Sequence, residues 1–248
     1  MKPIILTDLD DTVFTTMKNY AGFDPADLRQ VTTAKNGNHS YLCSSRQAVL
    51  DFLMGGADLL PVTARSLDAF RRVSIDFGGH GAVLANGAMI LNPDGTEDRI
   101  WRDLVETLCS IAHSDLQAVK HVIKLTAAPV RIHPHMNGRT LLGMTVKSNV
   151  ETDEGVATYL SEVEGIVERL GETRSLNFVT HRNGNNLAFV PNGVSKREAV
   201  EYLLATRSDL QNRPTIGAGD SLSDLPFMQL CDMMILPRDT QASAKLFA

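Results

Sequence analysis

The chain has 248 residues, of which 43% are hydrophobic and 21% are charged, and its formal net charge is −5 at pH 7. A chain of this length folds as one large domain or two small ones, and its ordinary apolar content excludes intrinsic disorder. The negative charge argues against nucleic acid or a membrane surface as partner, and no apolar run reaches the roughly 18–20 residues of a membrane span. The first residues lack a secretory pattern and the three cysteines are widely separated, so we expect a reduced, cytoplasmic protein.

Short apolar segments alternate with helical periodicity at both ends of the chain. The segments are residues 3–7, 59–63, 82–85, 215–218 and 233–236. Short apolar runs without strict alternation are typical of strands that a parallel sheet buries on both faces. Apolar residues at helical spacing lie between them, at Val49, Leu50, Leu53 and Met54 and again at Ala199, Val200, Leu203 and Leu204. The alternation predicts an α/β fold with a doubly wound, Rossmann-like parallel sheet.

The middle of the chain mixes helical and strand periodicity over about 100 residues, far more than a loop in a compact domain contains. We expect helices at 98–112 and 154–170, strands at 129–133 and 140–147, and a hairpin at 176–190 around Asn183-Gly184. The apolar helix positions are Ile100, Leu104, Leu108 and Ile111 on the first helix and Val156, Leu160, Val163, Val167 and Leu170 on the second. The pattern predicts an α/β domain at 90–187, inserted into a core formed by 1–89 and 188–248.

Residues 14–44 are rich in turn-forming residues and show little periodicity. A segment this long without its own secondary structure is typical of a functional flap or a mobile loop.

The strongest chemical signal is Asp8-Leu9-Asp10-Asp11-Thr12, directly after the first apolar segment. Residues two apart on a strand point the same way, so Asp8 and Asp10 face one spot at the carboxyl end of the strand, where open α/β sheets bind ligands. Two carboxylates this close need a cation or a shared proton. They suit a reaction in which Asp8 is nucleophile and Mg²⁺ ligand while Asp10 is general acid and base. Alone, the motif is equally well explained as a solvated acidic turn.

A second acidic pair, Asp220 and Asp224, follows the apolar segment 215–218. Magnesium prefers hard oxygen ligands, and Asp220 would complete a site with Asp8. Asp224 would bind through water, orient the direct ligands, or simply cap the helix that begins near Leu225.

Three further residues fit the binding of a phosphoryl group. Thr63 ends the segment 59–63, and Arg65 follows two residues later. Lys196 stands at a predicted helix start, where its charge would neutralise the charge that develops in phosphoryl transfer. Each residue alone is as easily an ordinary strand-end or surface residue, and the order of the motifs is what favours function.

That order resembles the haloacid-dehalogenase-like (HAD-like) phosphohydrolase superfamily, and within it the large-cap branch (subclass IIB) of Cof-like and sucrose-phosphatase-like hydrolases. The similar stretches are Leu84–Ala88, Gly193–Lys196 and Gly219–Met228, together with the motifs above. The likeness covers the two core segments, and the insertion lies where that branch carries its cap.

The resemblance implies a Mg²⁺-dependent phosphatase for a small phosphate ester, such as a sugar phosphate, with specificity set by the cap. Asp8 would form an aspartyl-phosphate, and Asp10 would protonate the leaving oxygen and then activate water. Thr63 and Lys196 would hold the phosphoryl group, while Asp8, Asp220 and the Asp10 carbonyl would bind Mg²⁺.

The chain departs from the family pattern at three positions. Asp11 stands where glycine is common, Ala64 replaces the glycine of a Thr-Gly-Arg motif, and Ser223 replaces an asparagine before the last aspartate. The change at Ser223 removes one hydrogen bond expected to orient the metal site or the lysine.

Polar residues of the insertion allow two interpretations. They are Arg131, His133, His135, Arg139, Lys147, His181 and Arg182. They either form a basic face that meets an anionic or hydroxylated substrate or belong to a solvated sheet face, and a metal site at the histidines is the less favoured interpretation.

Three other functions fit the same motifs. A phosphomutase would use the same scaffold, a non-catalytic module would bind a phosphorylated ligand, and a polynucleotide-end phosphatase would act on oligonucleotides. The sequence specifies neither the substrate nor the oligomeric state.

Overall fold

The structure is a computed structural model that describes residues 2–35, 37–126, 128–150 and 152–247. Its strands are β1 (Ile4–Thr7), β2 (Thr15–Thr16), β3 (Leu28–Gln30), β4 (Ser40–Cys43), β5 (Asp58–Pro61), β6 (Ala82–Leu84), β7 (Met89–Leu91), β8 (Val130–Asn137), β9 (Thr140–Ser148), β10 (Phe178–Asn183), β11 (Asn186–Pro191), β12 (Thr215–Ala218) and β13 (Met233–Ile235). Its helices are α1 (Ser44–Gly56), α2 (Leu67–Phe70), α3 (Arg99–Leu125), α4 (Asp153–Thr173), α5 (Lys196–Thr206), α6 (Leu225–Met228) and α7 (Gln241–Phe247).

The chain divides into two compact units. We call Met1–Trp101 with Ser195–Ala248 the core unit, and Arg102–Val194 the inserted unit. The units therefore divide at 101/102 and 194/195, whereas the sequence suggested limits of 90–187, which stay a prediction of domain organisation.

A four-stranded parallel sheet, in the order β13-β12-β1-β5, forms the centre of the core unit. The chain leaves β1 for β5 on one side and returns to β12 on the other, so β1 and β12 flank a switch point of the kind that binds ligands. All four residues of β1 are buried, as its continuous apolar run predicts. The doubly wound α/β sheet expected from the sequence is confirmed.

Two of the expected buried strands differ in detail. β6 pairs antiparallel with β7 and meets the parallel sheet through a bridge between Val83 and Val62. β13 is an edge strand whose side chains are all exposed, so the expectation that it is buried on both faces was wrong. An edge strand has a neighbour on one side alone, and an apolar run does not distinguish it from a central strand.

The segment 14–44 is folded, and the expectation of a long unstructured loop was wrong. It contains the antiparallel sheet β2-β4-β3 and two short 3₁₀ helices, at Met17–Tyr20 and Pro25–Asp27. Phe14, Val31 and Leu42 are buried and pack in one apolar cluster with β1. The strands have two to four residues each, too few to leave a readable alternation in the sequence.

The inserted unit has its own core. Its antiparallel sheet, in the order β10-β11-β9-β8, packs one face against α3 and α4. The hairpin around Asn183-Gly184 is confirmed, with Asn183 paired to Asn186. On α4, Leu160, Val163 and Val167 are buried as the helical spacing predicts.

The buried face of α3 is not the one expected. Ile100, Leu104 and Ile111 are largely exposed. The buried positions lie on the neighbouring stripe, at Trp101, Val105, Cys109, Ala112, Leu116, Val119 and Ile123. Both stripes are apolar near the start of the helix, and the buried one is distinguished by its continuation to Ile123. Within the described ranges, no helix is long and apolar enough to cross a membrane.

Candidate active site

The candidate site lies where β1 and β12 end. The Asp8 backbone N–H donates to the Ala218 carbonyl at 2.8 Å, so the two carboxyl ends are side by side. The segments after them carry Asp8 and Asp220, as expected for neighbouring strands of a parallel sheet. Asp8 is 4% exposed, so its carboxylate depends on protein partners rather than bulk water.

Lys196, which the sequence assigned to the phosphoryl group, contacts Asp8 directly. Its Nζ donates to Asp8 Oδ1 at 2.7 Å and to Asp224 Oδ1 at 2.6 Å. The side chain is 6% exposed, so these are buried ion pairs at the base of the site. Three residues far apart in the sequence thus form one charged cluster.

The start of α5 is what places Lys196. The Ser195 hydroxyl caps this helix by accepting from the N–H groups of Arg197 and Glu198, and it also bonds the Glu198 carboxylate. Gly87, with φ +95°, lies against the same turn. A Cβ at Gly87 would lie 2.0 Å from the Ser195 carbonyl oxygen and 2.9 Å from the Lys196 nitrogen. This close approach of two backbones requires glycine.

Asp224 has hydrogen-bond partners on both oxygens. Oδ1 accepts from Lys196, while Oδ2 accepts from the Ser221 N–H at 2.9 Å, the Ser221 hydroxyl at 2.6 Å and the Asp220 N–H at 3.3 Å. No cap hydrogen bond to α6 comes from its side chain. These contacts suit a residue that positions Lys196 and the loop carrying Asp220.

Thr12 joins the two acidic motifs, a role that the sequence analysis missed. Its hydroxyl lies 3.0 Å from Asp220 Oδ1 and 3.5 Å from Asp8 Oδ2. Arg46 of α1 donates to the backbone carbonyls of Asp11 and Thr12, at 3.1 Å and 3.2 Å, and so holds this loop. The position of Thr12 at the end of the first acidic motif could have indicated its role in the site. Nothing in the sequence indicated the role of Arg46.

With Asp220 beside this cluster, the site has one ammonium, that of Lys196, for three carboxylates. Burial raises the pKa of Asp8 to about 7 against the lowering effect of Lys196, and the charge of Asp224 adds to the rise. Burial and the charge of Asp224 raise the pKa of Asp220 to about 6. Burial lowers the pKa of Lys196, but Asp8 and Asp224 outweigh it and hold that pKa above its usual value. The excess negative charge favours uptake of a cation.

These carboxylates fit a divalent cation. One oxygen from each of Asp8, Asp220 and Asp224 lies within 4.8 Å of the others. Oxygen ligands of this kind are those that Mg²⁺ prefers. Asp224 Oδ2 accepts three hydrogen bonds, whereas among the described residues Asp8 Oδ2 has only the 3.5 Å contact with Thr12. Asp8 and Asp220 are therefore the better direct ligands. The Asp10 carboxylate is not one of the group, and the expected role of the Asp10 carbonyl stays a prediction.

Asp10 and Arg65 form a third ion pair of the site. Arg65 Nε donates to Asp10 Oδ2 at 2.7 Å and Nη2 donates to Oδ1 at 2.6 Å. The guanidinium also lies over the Phe14 ring, 5.0 Å from its centroid. The sequence assigned Arg65 to the phosphoryl group, whereas here it binds the proposed acid and base.

Thr63 lies two residues beyond β5, which ends at Pro61 rather than at Thr63 as expected. It is fully buried, its N–H donates to the Val83 carbonyl, and its hydroxyl accepts from the Arg65 N–H at 3.2 Å. The contacts place Thr63 beneath the loop that carries Arg65, and its phosphate contact stays a prediction.

The polar residues of the inserted unit separate into two groups. Arg182 donates to Glu164 and Ser161 of α4, on the helix-covered side of the sheet. On the other side, Arg131 pairs in register with Lys147, and His135 Nε2 lies 2.7 Å from the Thr145 hydroxyl. The alternation of strands thus separates Arg182 from the basic residues with which the sequence grouped it.

Comparison with known proteins identifies the architecture. Neither a protein-family model nor a curated protein sequence matches the chain. A sucrose-phosphatase from Synechocystis, solved with sucrose and phosphate, superposes with a TM-score of 0.61 and 14% identity, over 100% of this chain and 96% of that one. The chain therefore has the fold of this sucrose-phosphatase. A Thermoplasma acidophilum protein (0.58, 15% identity, 100% and 90% covered) and the C-terminal domain of C. albicans trehalose-6-phosphate phosphatase (0.54, 13%, 92% and 72%) have similar structures.

Two departures from the HAD-like pattern have local explanations. Asp11 has φ +63°, a left-handed conformation that favours glycine and that aspartate tolerates. Its carboxylate accepts from Asn19 at 3.0 Å and from the Thr15 hydroxyl, which fixes the turn. The Ser223 hydroxyl lies 2.8 Å from that of Ser221, so it reaches Asp224 through Ser221.

Proposed function

We propose that the protein is a Mg²⁺-dependent phosphomonoester hydrolase that works through an aspartyl-phosphate. The observation that carries the proposal is the buried Asp8 carboxylate, held by Lys196 at 2.7 Å beside Asp220 and next to the Asp10–Arg65 pair. A nucleophile, a cation site and a separate acid and base are the parts that this reaction requires.

In the first step, an Asp8 oxygen attacks phosphorus, and the bond to the leaving oxygen breaks. Asp10 donates a proton to that oxygen, so the product leaves as an alcohol. The contact with Lys196 fixes the orientation of the Asp8 carboxylate and helps to balance the charge of the phosphoryl oxygens. Each Asp10 oxygen accepts one hydrogen bond from Arg65 and keeps a second lone pair that can carry the proton.

In the second step, water attacks the phosphorus of the aspartyl-phosphate. Asp10 accepts a proton from the water, the bond between phosphorus and Asp8 breaks, and inorganic phosphate is released. Asp8 is again a carboxylate and Asp10 again carries the proton with which it began the first step, so the cycle balances as ester plus water giving alcohol plus phosphate. Thr63 is proposed to contact the phosphoryl group.

Asp8 and Asp220 would bind the cation. Thr12 and Asp224 position these two residues through their hydrogen bonds. When bound, Mg²⁺ supplies positive charge that offsets the repulsion between the phosphoryl oxygens and the attacking carboxylate. A small phosphorylated metabolite, in particular a sugar phosphate, is the proposed substrate class. Support for this class comes from the fold shared with a sucrose-phosphatase and a trehalose-6-phosphate phosphatase domain.

Chemical trapping tests the covalent step. Borohydride reduces an acyl phosphate to an alcohol, so treatment during turnover of p-nitrophenyl phosphate should convert Asp8 to homoserine. Peptide mass spectrometry reads the change, and Asp8→Asn protein is the control. Conversion at Asp8 supports the proposal, whereas steady turnover with Asp8 unmodified and Asp8→Asn fully active would refute it.

A further inference from the structure

A cluster of positively charged side chains borders an open cavity beside Asp10. The cavity has a volume of about 500 Å³ and lies entirely within the core unit. Its charged lining consists of Asp10, Lys35, Arg65 and Arg72, and three alanines make up the rest. Small side chains leave room, and three cations against one carboxylate make the lining positive.

The two cations that do not contact Asp10 have weak partners. Lys35 Nζ and Arg72 Nη1 both lie 2.9 Å from the same Asp68 oxygen, and that carboxylate is 63% exposed. Exposed ion pairs contribute little, so an arriving anion competes well for either cation. Arg72 Nε is buried and has no acceptor among the described residues, so the contact with Asp68 leaves Arg72 incompletely bonded. Lys35 and Arg72 share the single negative charge of Asp68, so one of their two positive charges is left to be balanced by a ligand.

The wall of the cavity is fixed by the backbone. The Ser74 N–H donates to the Val31 carbonyl at 2.9 Å, and Thr32 and Val73 form an antiparallel bridge. These contacts join the segment that carries Lys35 to the segment that carries Arg72. The fold therefore fixes the backbone positions from which the two cations extend.

The position of Asp10 relates this cavity to the reaction. A general acid must lie within hydrogen-bond reach of the oxygen that it protonates, so the leaving group departs on the side of Asp10. The cavity begins at Asp10 and continues to Lys35 and Arg72. A leaving group that extends into it brings its far end to these two cations.

We propose that the cavity binds a second anionic group of the substrate, so that the preferred ester carries a carboxylate or another phosphate on its leaving group. The inference rests on the proposed function, because it places the reacting phosphate at Asp8. Lys35 and Arg72 are then specificity-determining residues, and an anion that contacts both replaces their shared contact with Asp68.

Paired ligands test the proposal without requiring turnover. We would measure the binding of 3-phosphoglycerate and of glycerol 3-phosphate to Asp8→Asn protein with Mg²⁺ by calorimetry. Fructose 1,6-bisphosphate and fructose 6-phosphate form the second pair, so that one pair tests an added carboxylate and the other an added phosphate. We expect the ligand with the second anion to bind at least about tenfold more tightly in one pair, as a charged hydrogen bond provides.

Arg72→Gln in the same background should reduce that affinity ratio about tenfold. The matched control is Arg71→Gln, which removes the same charge from the neighbouring exposed arginine outside the lining and should leave the ratio unchanged. Equal affinities within both pairs, or a ratio lowered equally by the two variants, would overturn the proposal. Turnover of p-nitrophenyl phosphate by the wild-type protein is measured separately, so loss of the proposed function is distinguished from loss of this subsite.

Discussion

At the scale of single residues, Lys196 is the cation on which two buried carboxylates depend. Its Nζ contacts both Asp8 and Asp224, and burial alone would make each of these charges costly. Removing one partner of a buried ion pair leaves the other charges without compensation. We therefore predict that Lys196→Met lowers the free energy of unfolding by about 3–5 kcal/mol in the absence of Mg²⁺.

Urea unfolding in EDTA measures this loss. Lys18→Met is the matched control, because Lys18 is exposed and its removal should change stability by less than about 0.5 kcal/mol. A similar small loss for Lys196→Met would show that the buried pairs contribute no net stability.

A second residue-scale prediction concerns the cation and pH. In EDTA, the raised pKa values of Asp8 and Asp220 mean that the folded protein binds more protons than the unfolded chain between about pH 4 and pH 7. The stability contributed by these groups is therefore present below about pH 4 and lost as the pH rises through 6 to 7. Mg²⁺ should raise the melting temperature more at pH 8 than at pH 5.5.

Differential scanning calorimetry with Mg²⁺ and with EDTA checks this prediction. At 100 times its dissociation constant, a ligand stabilises the folded state by about 2.7 kcal/mol. Asp220→Asn should remove most of the Mg²⁺ effect while keeping an oxygen for the Thr12 hydroxyl. An undiminished Mg²⁺ effect in that variant would place the cation elsewhere.

The sequence predicted which acidic residues meet, but less about their partners. Asp8 and Asp220 follow strands, and parallel strands bring their carboxyl ends together, so pattern and topology sufficed. The bidentate contact of Arg65 with Asp10 depends on the path of the chain between Pro61 and the start of α2, which no periodicity encodes. The Thr12 contact depends likewise on the tight turn at Asp11.

At the scale of elements, the start of α5 depends on the turn that contains Gly87. A Cβ there would lie 2.0 Å from the Ser195 carbonyl oxygen, and φ is +95°. We predict that Gly87→Ala moves the first turn of α5, lowers turnover by at least about tenfold through Lys196, and destabilises the fold by about 1–3 kcal/mol. Steady-state kinetics and urea unfolding measure the two effects.

Gly95→Ala is the matched control for Gly87→Ala. Gly95 also has positive φ, at +80°, but an added Cβ would meet nothing within 4 Å. Gly95→Ala therefore places an alanine in the unfavourable left-handed conformation without a steric clash of its Cβ. The turnover of this control variant should stay normal. Equal loss of turnover in both variants would mean that the close approach to Ser195 is unimportant.

Helices could be predicted from the sequence where one apolar face is buried along the whole length of the helix. The apolar positions of α4 repeat over the whole helix, and the structure buries Leu160, Val163 and Val167 and packs the outer two partly against the same core. On α3 the first turns carry two apolar stripes, and tertiary packing selected the one that continues to Ile123. The short strands β2, β3 and β4 depend on pairing with each other and on packing around Phe14, which local sequence does not reveal.

At the scale of the whole molecule, each unit has its own apolar core. In the inserted unit Leu160 is fully buried between helix and sheet, and in the core unit Leu6 is fully buried in β1. We predict that Leu160→Ala costs about 2–5 kcal/mol within the inserted unit and leaves hydrogen-exchange protection of the core sheet unchanged. Leu6→Ala is the counterpart and should weaken the core sheet. Exchange measured by mass spectrometry would contradict this if Leu160→Ala exposed both units equally.

In the proposed reaction, Asp8 and a divalent cation together cleave phosphate esters. The most direct measurement is phosphate release from a broad panel of phosphate esters, with Mg²⁺ and with EDTA, using wild-type and Asp8→Asn protein in parallel. We predict release that requires both Mg²⁺ and Asp8, and a folded, inactive Asp8→Asn protein. Comparable release by Asp8→Asn protein, or no release from any ester by folded wild-type protein with Mg²⁺, would contradict it.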